Sequence, residues 1–551
     1  MINFIRRIPT APSLALPLVL ALAACGGGGG GDVATSDAPT PVAATGLKLS
    51  GTAAVGAPMA NAAITVACAS GTATATADAN GLYSATISNG SLPCVITATS
   101  SDGLTELHSV AAGTGSADTT ANVTPLSELL VAQMSGGDPK TFVANFTSST
   151  TIAPADVATA QTALMQTLTS AGIDTSAVGD IVGGTITAGS GTGYDGVLDK
   201  LKATIDSAGT TLAELTVAVS TSSVGSDTSK SIVGAALAPA ATDCPGLKSG
   251  TLRVLDFGSI ESSLVQVDAV AMTVTSAGQT FPLVKNAACD YSVNDGTTTR
   301  VLVARSGMAM LLWGSGANGV ASVAIPEQKL DVGTLAGTYD RVQYGATFDT
   351  EVGDFGTTVF AANGDNGLSV NCPLGYGKCV EDTQSKGTLV ANANGGFDYM
   401  ESGSSQARVY AFRTPSGRNL ILAQSPDGTV TALGAQGALT LPEVGRVASF
   451  RQFTVNSAGL STLTEDSNTV TSVDAGTGTV TRQFASDNHF DTLSFDSPFI
   501  GTRYRATNGC TSSTGSAFNC NGVVQLPFGG VVLTVSSVPG KHFMTVSVDK
   551  P

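Results

Sequence analysis

From Cys244 to the C-terminus, the chain runs in short stretches whose apolar residues recur at every second position, as in 265–274, 300–313, 408–422 and 531–535. A period of two places successive side chains on opposite faces, so each stretch suits a half-buried β-strand and cannot present the single apolar stripe of a helix. Asn294-Asp295-Gly296, Asp365-Asn366-Gly367, Asn394-Gly395-Gly396 and Pro426-Asp427-Gly428 separate the stretches with residues that accept tight-turn backbone. The same half repeats itself. Asp290-Tyr291 and Arg300-Val301 recur at one fixed offset as Asp398-Tyr399 and Arg408-Val409, and Gly250-Thr251-Leu252-Arg253-Val254 is echoed by Gly337-Thr338-Tyr339-Asp340-Arg341-Val342. Two tandem β units are therefore predicted, 243–332 and 333–445, followed by a C-terminal β unit, 446–551, in which Gly501-Thr502-Arg503-Tyr504 opens a partial third copy. The copies are too long and too few for a solenoid, and the pattern leaves barrel and sandwich both open.

Residues 47–123 also alternate, through 63–68, 72–77, 82–87 and 94–99, and predict a small β-sandwich. After Val123 the apolar period lengthens to that of a helix. Thr124 followed by Pro125 is a cap and first-turn proline ahead of Leu126, Leu129, Leu130 and Met134; similar starts stand at Asp138-Pro139 and Ala153-Pro154, and Val197, Leu198, Leu201 and Ile205 mark a further helix. Segment 124–220 reads as helical, packed beside the sandwich, and a Ser-, Thr- and Ala-rich linker runs on to 242. The predicted fold class is mainly β: an N-terminal sandwich, a helical spacer, then tandem antiparallel β units.

Within the sandwich, the stretch from Gly51 through Pro58 to Val66, followed by Asp78-Ala79-Asn80-Gly81-Leu82-Tyr83, resembles the carboxypeptidase regulatory-like, transthyretin-like family. The resemblance implies a hairpin turn at Asn80-Gly81 with a buried aromatic at Tyr83, and a non-catalytic accessory role. Strands opened by Gly-Thr-Tyr also look like the first strand of lipocalin-type barrels, with Tyr339 where that family has a tryptophan. That likeness implies a ligand-holding calyx, against which stands an ordinary filled core.

At the other end, Arg6-Arg7, an apolar stretch over 11–22 and small residues before Cys25 make a secretory signal over 1–24. Leu22-Ala23-Ala24-Cys25 resembles the lipobox of bacterial lipoproteins. The resemblance implies diacylation of Cys25, which becomes the first mature residue, handling by the lipoprotein-processing and sorting machinery, and, with Gly26 after the cysteine, delivery to the outer membrane. Residues 25–46 would then be a lipidated flexible tether, rich in glycine and then in Ser, Thr, Ala and Pro. Nine cysteines less Cys25 leave an even number in an exported chain, which favours disulfides. Many pairings are formally open. The cysteines nevertheless fall into sequence-local couples, Cys68 with Cys94, Cys244 with Cys289, Cys372 with Cys379 and Cys510 with Cys520, and nearest neighbours are expected to bond. A metal site is disfavoured because no C-x-x-C occurs and no histidine lies near a couple.

Chemistry is hard to find in this chain. No G-x-S-x-G, P-loop or dinucleotide fingerprint is present, so no cofactor is expected. His108, His489 and His542 fall in different units and read as structural. Asp340, Asp349, Glu351 and Asp354 are the remaining route to carboxylate catalysis, but acids on an exposed strand explain them as well. Asn363-Gly364-Asp365-Asn366-Gly367 reads as a hairpin turn rather than a calcium loop. A net charge of −16 without a basic patch argues against nucleic acid. Aromatics at 5% are too few for the girdles of a membrane barrel. The expected function is that of a non-enzymatic outer-membrane lipoprotein, held by its N-terminal lipid and presenting β domains for binding or adhesion at the cell envelope, toward an unknown surface or periplasmic ligand. The alternatives are a periplasm-facing carrier or envelope-assembly protein holding an apolar ligand, and a carboxylate-dependent hydrolase.

Overall fold

The structure is a computed structural model that describes residues 46–220, 226–257, 259–294, 296, 298–345, 354–382 and 386–551. Cys25, its flanking segment, Asp295, Asp349 and Glu351 lie outside the described residues. Strands make up 45% of the protein and helices 15%, so the fold is mainly β with six helices among the described residues.

Two sheets face each other at the N-terminal end. Leu47–Thr52, Leu82–Ile87 and Thr119–Thr120 form one; Thr72–Thr76, Ala63–Ser70, Ser91–Thr99 and Glu106–Gly115 form the other. Alternation sends Leu47, Leu49, Ile64, Val66, Ile87 and Ile96 into the space between them. Asp78 accepts hydrogen bonds from the amides of Asn80 and Leu82, Gly81 takes the left-handed backbone of the turn (φ 77°), and Tyr83 is buried with its hydroxyl donating to the Ala121 carbonyl. Cys68 stands directly opposite Cys94 on neighbouring strands, and the two are bonded.

The helices Pro125–Ser135, Pro139–Ala144, Pro154–Ser170, Gly193–Ser207 and Leu212–Ser220 follow. The first is fixed by a reciprocal cap, in which Ser127 N donates to Thr124 Oγ1 at 3.2 Å and Thr124 N donates to Ser127 Oγ at 2.8 Å. Leu126, Leu129, Leu164, Leu168 and Leu198 join the sandwich residues in one continuous core. The stretch read as a linker holds a sixth helix, Asp227–Leu237. Ser226 caps it by accepting from Ser229 N at 3.2 Å, and Ile232, Val233 and Leu237 bury into the same core. Its small residues hid the periodicity, while burial against the other helices supplies the stability.

The two tandem units share one topology. In the first, Gly250–Asp256 is the fourth of nine strands, followed outward on one side by Ser262–Asp268, Thr273–Ser276 and Gln279–Pro282, and met on the other by the last strand, Val320–Pro326. In the second, Gly337–Tyr344 takes the same place, pairs with the last strand, Val430–Ala435, and again belongs to nine strands in the same order. Each unit is an up-and-down ring left unpaired at one seam. Both opening glycines have φ 146°, a region that other residues rarely adopt. The repeated acid and base also coincide: Arg300 donates to Asp290 (2.7 Å from Nη2 to Oδ2) and Arg408 to Asp398 (2.6 Å). The spans 265–274 and 300–313 are each two strands with a turn between them, because apolar alternation continues through a tight hairpin.

The C-terminal unit closes completely. Val447–Asn456, Thr464–Asp474, Thr479–Phe484, Phe490–Phe495, Arg503–Arg505, Val523–Phe528, Val531–Ser536 and Phe543–Asp549 pair antiparallel in chain order, and the last pairs with the first. This is an up-and-down barrel. Its opening strand is Val447–Asn456, so Gly501-Thr502-Arg503-Tyr504 sits within the barrel wall rather than starting a copy. The barrel is apolar on part of its outside. Phe453, Leu526, Phe528, Leu533 and Val546 pack with Met310 and Val323 of the first unit and Phe412 and Leu422 of the second in a single cluster. Phe412 and Phe528 meet edge to face at 6.3 Å.

The remaining disulfides are Cys244–Cys289, Cys372–Cys379 and Cys510–Cys520. Among the described residues, no helix is long and apolar enough to cross a membrane.

Candidate functional site

With the outer wall of the barrel taken up by packing, the side chains of opposite parity point into its lumen. They are Phe450, Gln452 and Thr454 on the first strand, Arg503 and Arg505 on the fifth, Gln525 on the sixth, Thr534 on the seventh, and Thr545, Ser547 and Asp549 on the last. The space they enclose is a cavity of about 470 Å3, of the size that small-molecule sites occupy. Its lining mixes polar and charged side chains with apolar ones, among them Phe450, Phe484, Val523, Val532 and Phe543. A calyx-like cavity therefore exists in 446–551, and a smaller one, of about 240 Å3, lies inside the second tandem unit, whose Gly-Thr-Tyr strand suggested one, with Arg341, Asn371, Tyr399, Val409 and Ile421 in its lining.

Charge in the lumen is organised around Asp491, whose side chain is fully buried. Arg482 grips it with Nε at 3.0 Å and Nη2 at 2.7 Å, and Arg505 adds Nη1 at 3.2 Å. Burial alone would raise this carboxyl, but the two guanidiniums outweigh it and hold Asp491 below the usual carboxylate range. Asp466 accepts from the Ser486 amide and hydroxyl at 3.1 and 2.8 Å. Arg503 is different. Its Nε is buried with no hydrogen-bond partner, and its guanidinium lies over the Phe495 ring at 4.8 Å. Only Nε is covered; the side chain is half-buried and borders the open lumen. Burial, reinforced by Arg482, lowers Arg503 to about 10, with Asp549 acting in the opposite direction. Gln525, its cross-strand partner, has a buried Oε1 that accepts nothing. Asp549 is raised by burial against the pull of Arg503 and Arg446.

Cys520 and Asn521 reach the rim of the cavity, and Arg505 donates to the Asn521 carbonyl at 3.1 Å. The Cys510–Cys520 disulfide thus fastens a loop at the barrel mouth. The other six paired cysteines lie away from this cavity.

Of the candidates for carboxylate chemistry, the two among the described residues, Asp340 and Asp354, are not brought together. Asp340 is fully buried, accepts from Gln436 Nε2 at 2.8 Å, and is raised to about 7 by burial. Asp354 faces His542, whose Nδ1 lies 3.1 Å from Oδ1, and Arg341; burial raises it while these two neighbours act to lower it. His108 lies 2.9 Å from Glu128 between sandwich and helix, and His489 stacks on Phe484 at 4.4 Å by the barrel lumen. Asp365 accepts from Thr388 and Asn363 at 2.7 Å each, as a turn residue does. Among the described residues, no group of three or more His, Cys, Asp or Glu side chains is placed to hold a metal ion.

The signal for this site was present in the sequence as polar residues on one parity, Gln452 and Thr454, Arg503 and Arg505, Thr545, Ser547 and Asp549. Alternation identifies a shared face but does not say whether that face is solvent or lumen.

No family model matches this chain, and no curated protein does. Among solved structures, transferrin binding protein B from serogroup B Neisseria meningitidis matches 52% of this chain and 58% of its own, at 9% identity and a TM-score of 0.17. A double mutant of the same vaccine antigen from Haemophilus parasuis matches 52% and 65%, at 9% identity and a TM-score of 0.16. This chain spans less than two thirds of the neighbours' length. Likeness at this level carries no argument about fold or ligand.

Proposed function

We propose that this chain is a non-enzymatic lipoprotein of the bacterial outer membrane, anchored through Cys25, whose C-terminal barrel receives a ligand. The observation that carries the binding role is the cavity of about 470 Å3 inside a closed barrel, lined in part by Arg503 and Gln525, whose Nε and Oε1 have no hydrogen-bond partner. Burying polar groups without partners costs about 1–3 kcal/mol each, and such groups are tolerated where a ligand or water supplies the missing bond. The anchor rests on Leu22-Ala23-Ala24-Cys25 and the tether-like composition that follows. The N-terminal sandwich, with its Asp78–Tyr83 turn, serves as an accessory module of transthyretin-like type, and with the helices it spaces the barrel from the membrane.

Metabolic labelling with palmitate tests the anchor: label is expected in the intact chain and absent from Cys25→Ala, and an unlabelled wild type would remove the lipoprotein reading. A protease that cannot cross the outer membrane, added to intact cells with a periplasmic protein as control, tests the exposed face. Loss of the barrel places ligand capture outside the cell; its survival places the same binding role in the periplasm.

A further inference from the structure

Of the three arginines that line the lumen, Arg482 and Arg505 are committed to Asp491, and Arg503 is left with a buried Nε that no group in the chain accepts from. Beside it, in register on the next strand, the Gln525 carbonyl oxygen is a buried acceptor without a donor. The two vacancies are complementary in kind: one asks for an acceptor, the other for a donor. Arg482 and Arg446 add positive charge near Arg503, with Asp549 as the opposing carboxylate. Hydroxyl groups of Thr454 and Thr545, bonded to each other at 2.8 Å, and the Phe450 ring complete the wall nearby.

We propose that the barrel lumen binds a small hydroxylated carboxylate, of the sugar-acid class, with its carboxylate on Arg503 and a hydroxyl donated to Gln525 Oε1. An anion satisfies the guanidinium better than a neutral acceptor, because hydrogen bonds between ionised groups are about twice as strong as neutral ones. A ligand hydroxyl can supply a donor at Gln525, which a simple carboxylate without hydroxyls lacks. Thr and Ser hydroxyls can exchange donor and acceptor roles with the remaining ligand hydroxyls, and the aromatic rings offer an apolar surface to the C–H face of a sugar ring. This assignment deepens the proposed binding role of the barrel and is independent of the lipid anchor.

Calorimetric titration of the purified intact chain with glucuronate tests it, with glucose and acetate as comparison probes. Saturable one-to-one binding of glucuronate is expected, with glucose and acetate each weaker by roughly tenfold or more. Arg503→Met should weaken glucuronate roughly 30-fold or more, and Gln525→Glu, which sets a like charge beside the carboxylate, should weaken it by a similar factor. Arg503→Lys, which keeps the charge but loses Nε, should fall between wild type and Arg503→Met; together with Gln525→Glu it carries the test should the Met variant not fold. No saturable glucuronate binding, equal affinity for glucose, or a folded Arg503 variant with unchanged affinity would each overturn the assignment. The outcome is separable from the anchoring reading, since palmitate labelling and protease access are measured on cells and do not depend on lumen occupancy.

Discussion

Asp340 and Asp491 are both buried aspartates, and their surroundings drive them in opposite directions. Asp340 has Gln436 on one oxygen and no partner on the other, so burial wins and raises it to about 7. Between its unfolded value of about 3.9 and that point, the native state holds more protons than the unfolded chain, and stability falls as pH rises. Asp340→Asn removes that loss. The variant should gain on wild type by a few kcal/mol at pH 8 and by almost nothing at pH 4, as read by urea unfolding at the two values. Asp491 is held low by Arg482 and Arg505, so its stabilising contribution is present above about pH 4 and is lost as pH falls through its lower folded value. Asp491→Ala strands two guanidiniums in the lumen and should cost about 3–5 kcal/mol at pH 7, measured the same way. Sequence alone could not rank these two residues, because the difference lies in which cations the barrel wall and the unit interface bring near.

At the scale of elements, the disulfides and the opening glycines give separable expectations. Cys244–Cys289 closes a loop with sequence separation 45, and Cys372–Cys379 one of 7. Loop-closure entropy then predicts losses of about 4 and about 2.4 kcal/mol when each pair is replaced by Ala, and equilibrium unfolding of the two double variants should preserve that order. Gly250 and Gly337 have space for a Cβ but a backbone conformation that resists one. Gly337→Ala should cost about 1 kcal/mol through backbone strain alone. The echo of Gly-Thr in the sequence therefore marked a true structural equivalence, the start of the strand that pairs with the last strand of each nine-stranded unit. The third echo at Gly501 did not, because pairing with Phe543–Asp549 is what makes Val447–Asn456 the opening strand of the barrel.

For the whole molecule, the shared core decides how the C-terminal half unfolds. Phe528 contributes to a cluster drawn from both nine-stranded units and the barrel, and it is fully buried. Arg451 adds an ion pair across the same junction, 3.1 Å from Asp290, and is held within the barrel by Glu465 at 2.8 Å. Residues 243–551 should accordingly melt in one calorimetric transition, and Phe528→Ala should lower that entire transition with a loss of about 3–5 kcal/mol. A separate barrel transition, with the rest unmoved, would show that the interface is weaker than its packing implies. Arg253 makes the corresponding link between the two tandem units, pairing with Glu327 at 2.7 Å, bonding the Asn394 carbonyl at 3.0 Å and lying over Tyr410 at 4.5 Å.

What the sequence by itself determined is local in origin. Period-two alternation and glycine-bearing turns specified strands; Thr124-Pro125 specified a helix start; closeness in sequence specified the cysteine couples, all four of which are bonded. These follow from backbone geometry and short-range chain statistics, which nearby residues control. Tertiary structure alone decided that 446–551 closes into a ring while its two predecessors stay open, that the apolar parity of its strands faces neighbouring units, and that the polar parity faces a lumen. Alternation sorts residues between two faces of a strand, but the choice of which face becomes core is made by whatever packs against it. Here the packing partners are the two nine-stranded units, and their cover over the outside of the barrel is the physical reason that its interior carries Arg503, Gln525 and Asp549.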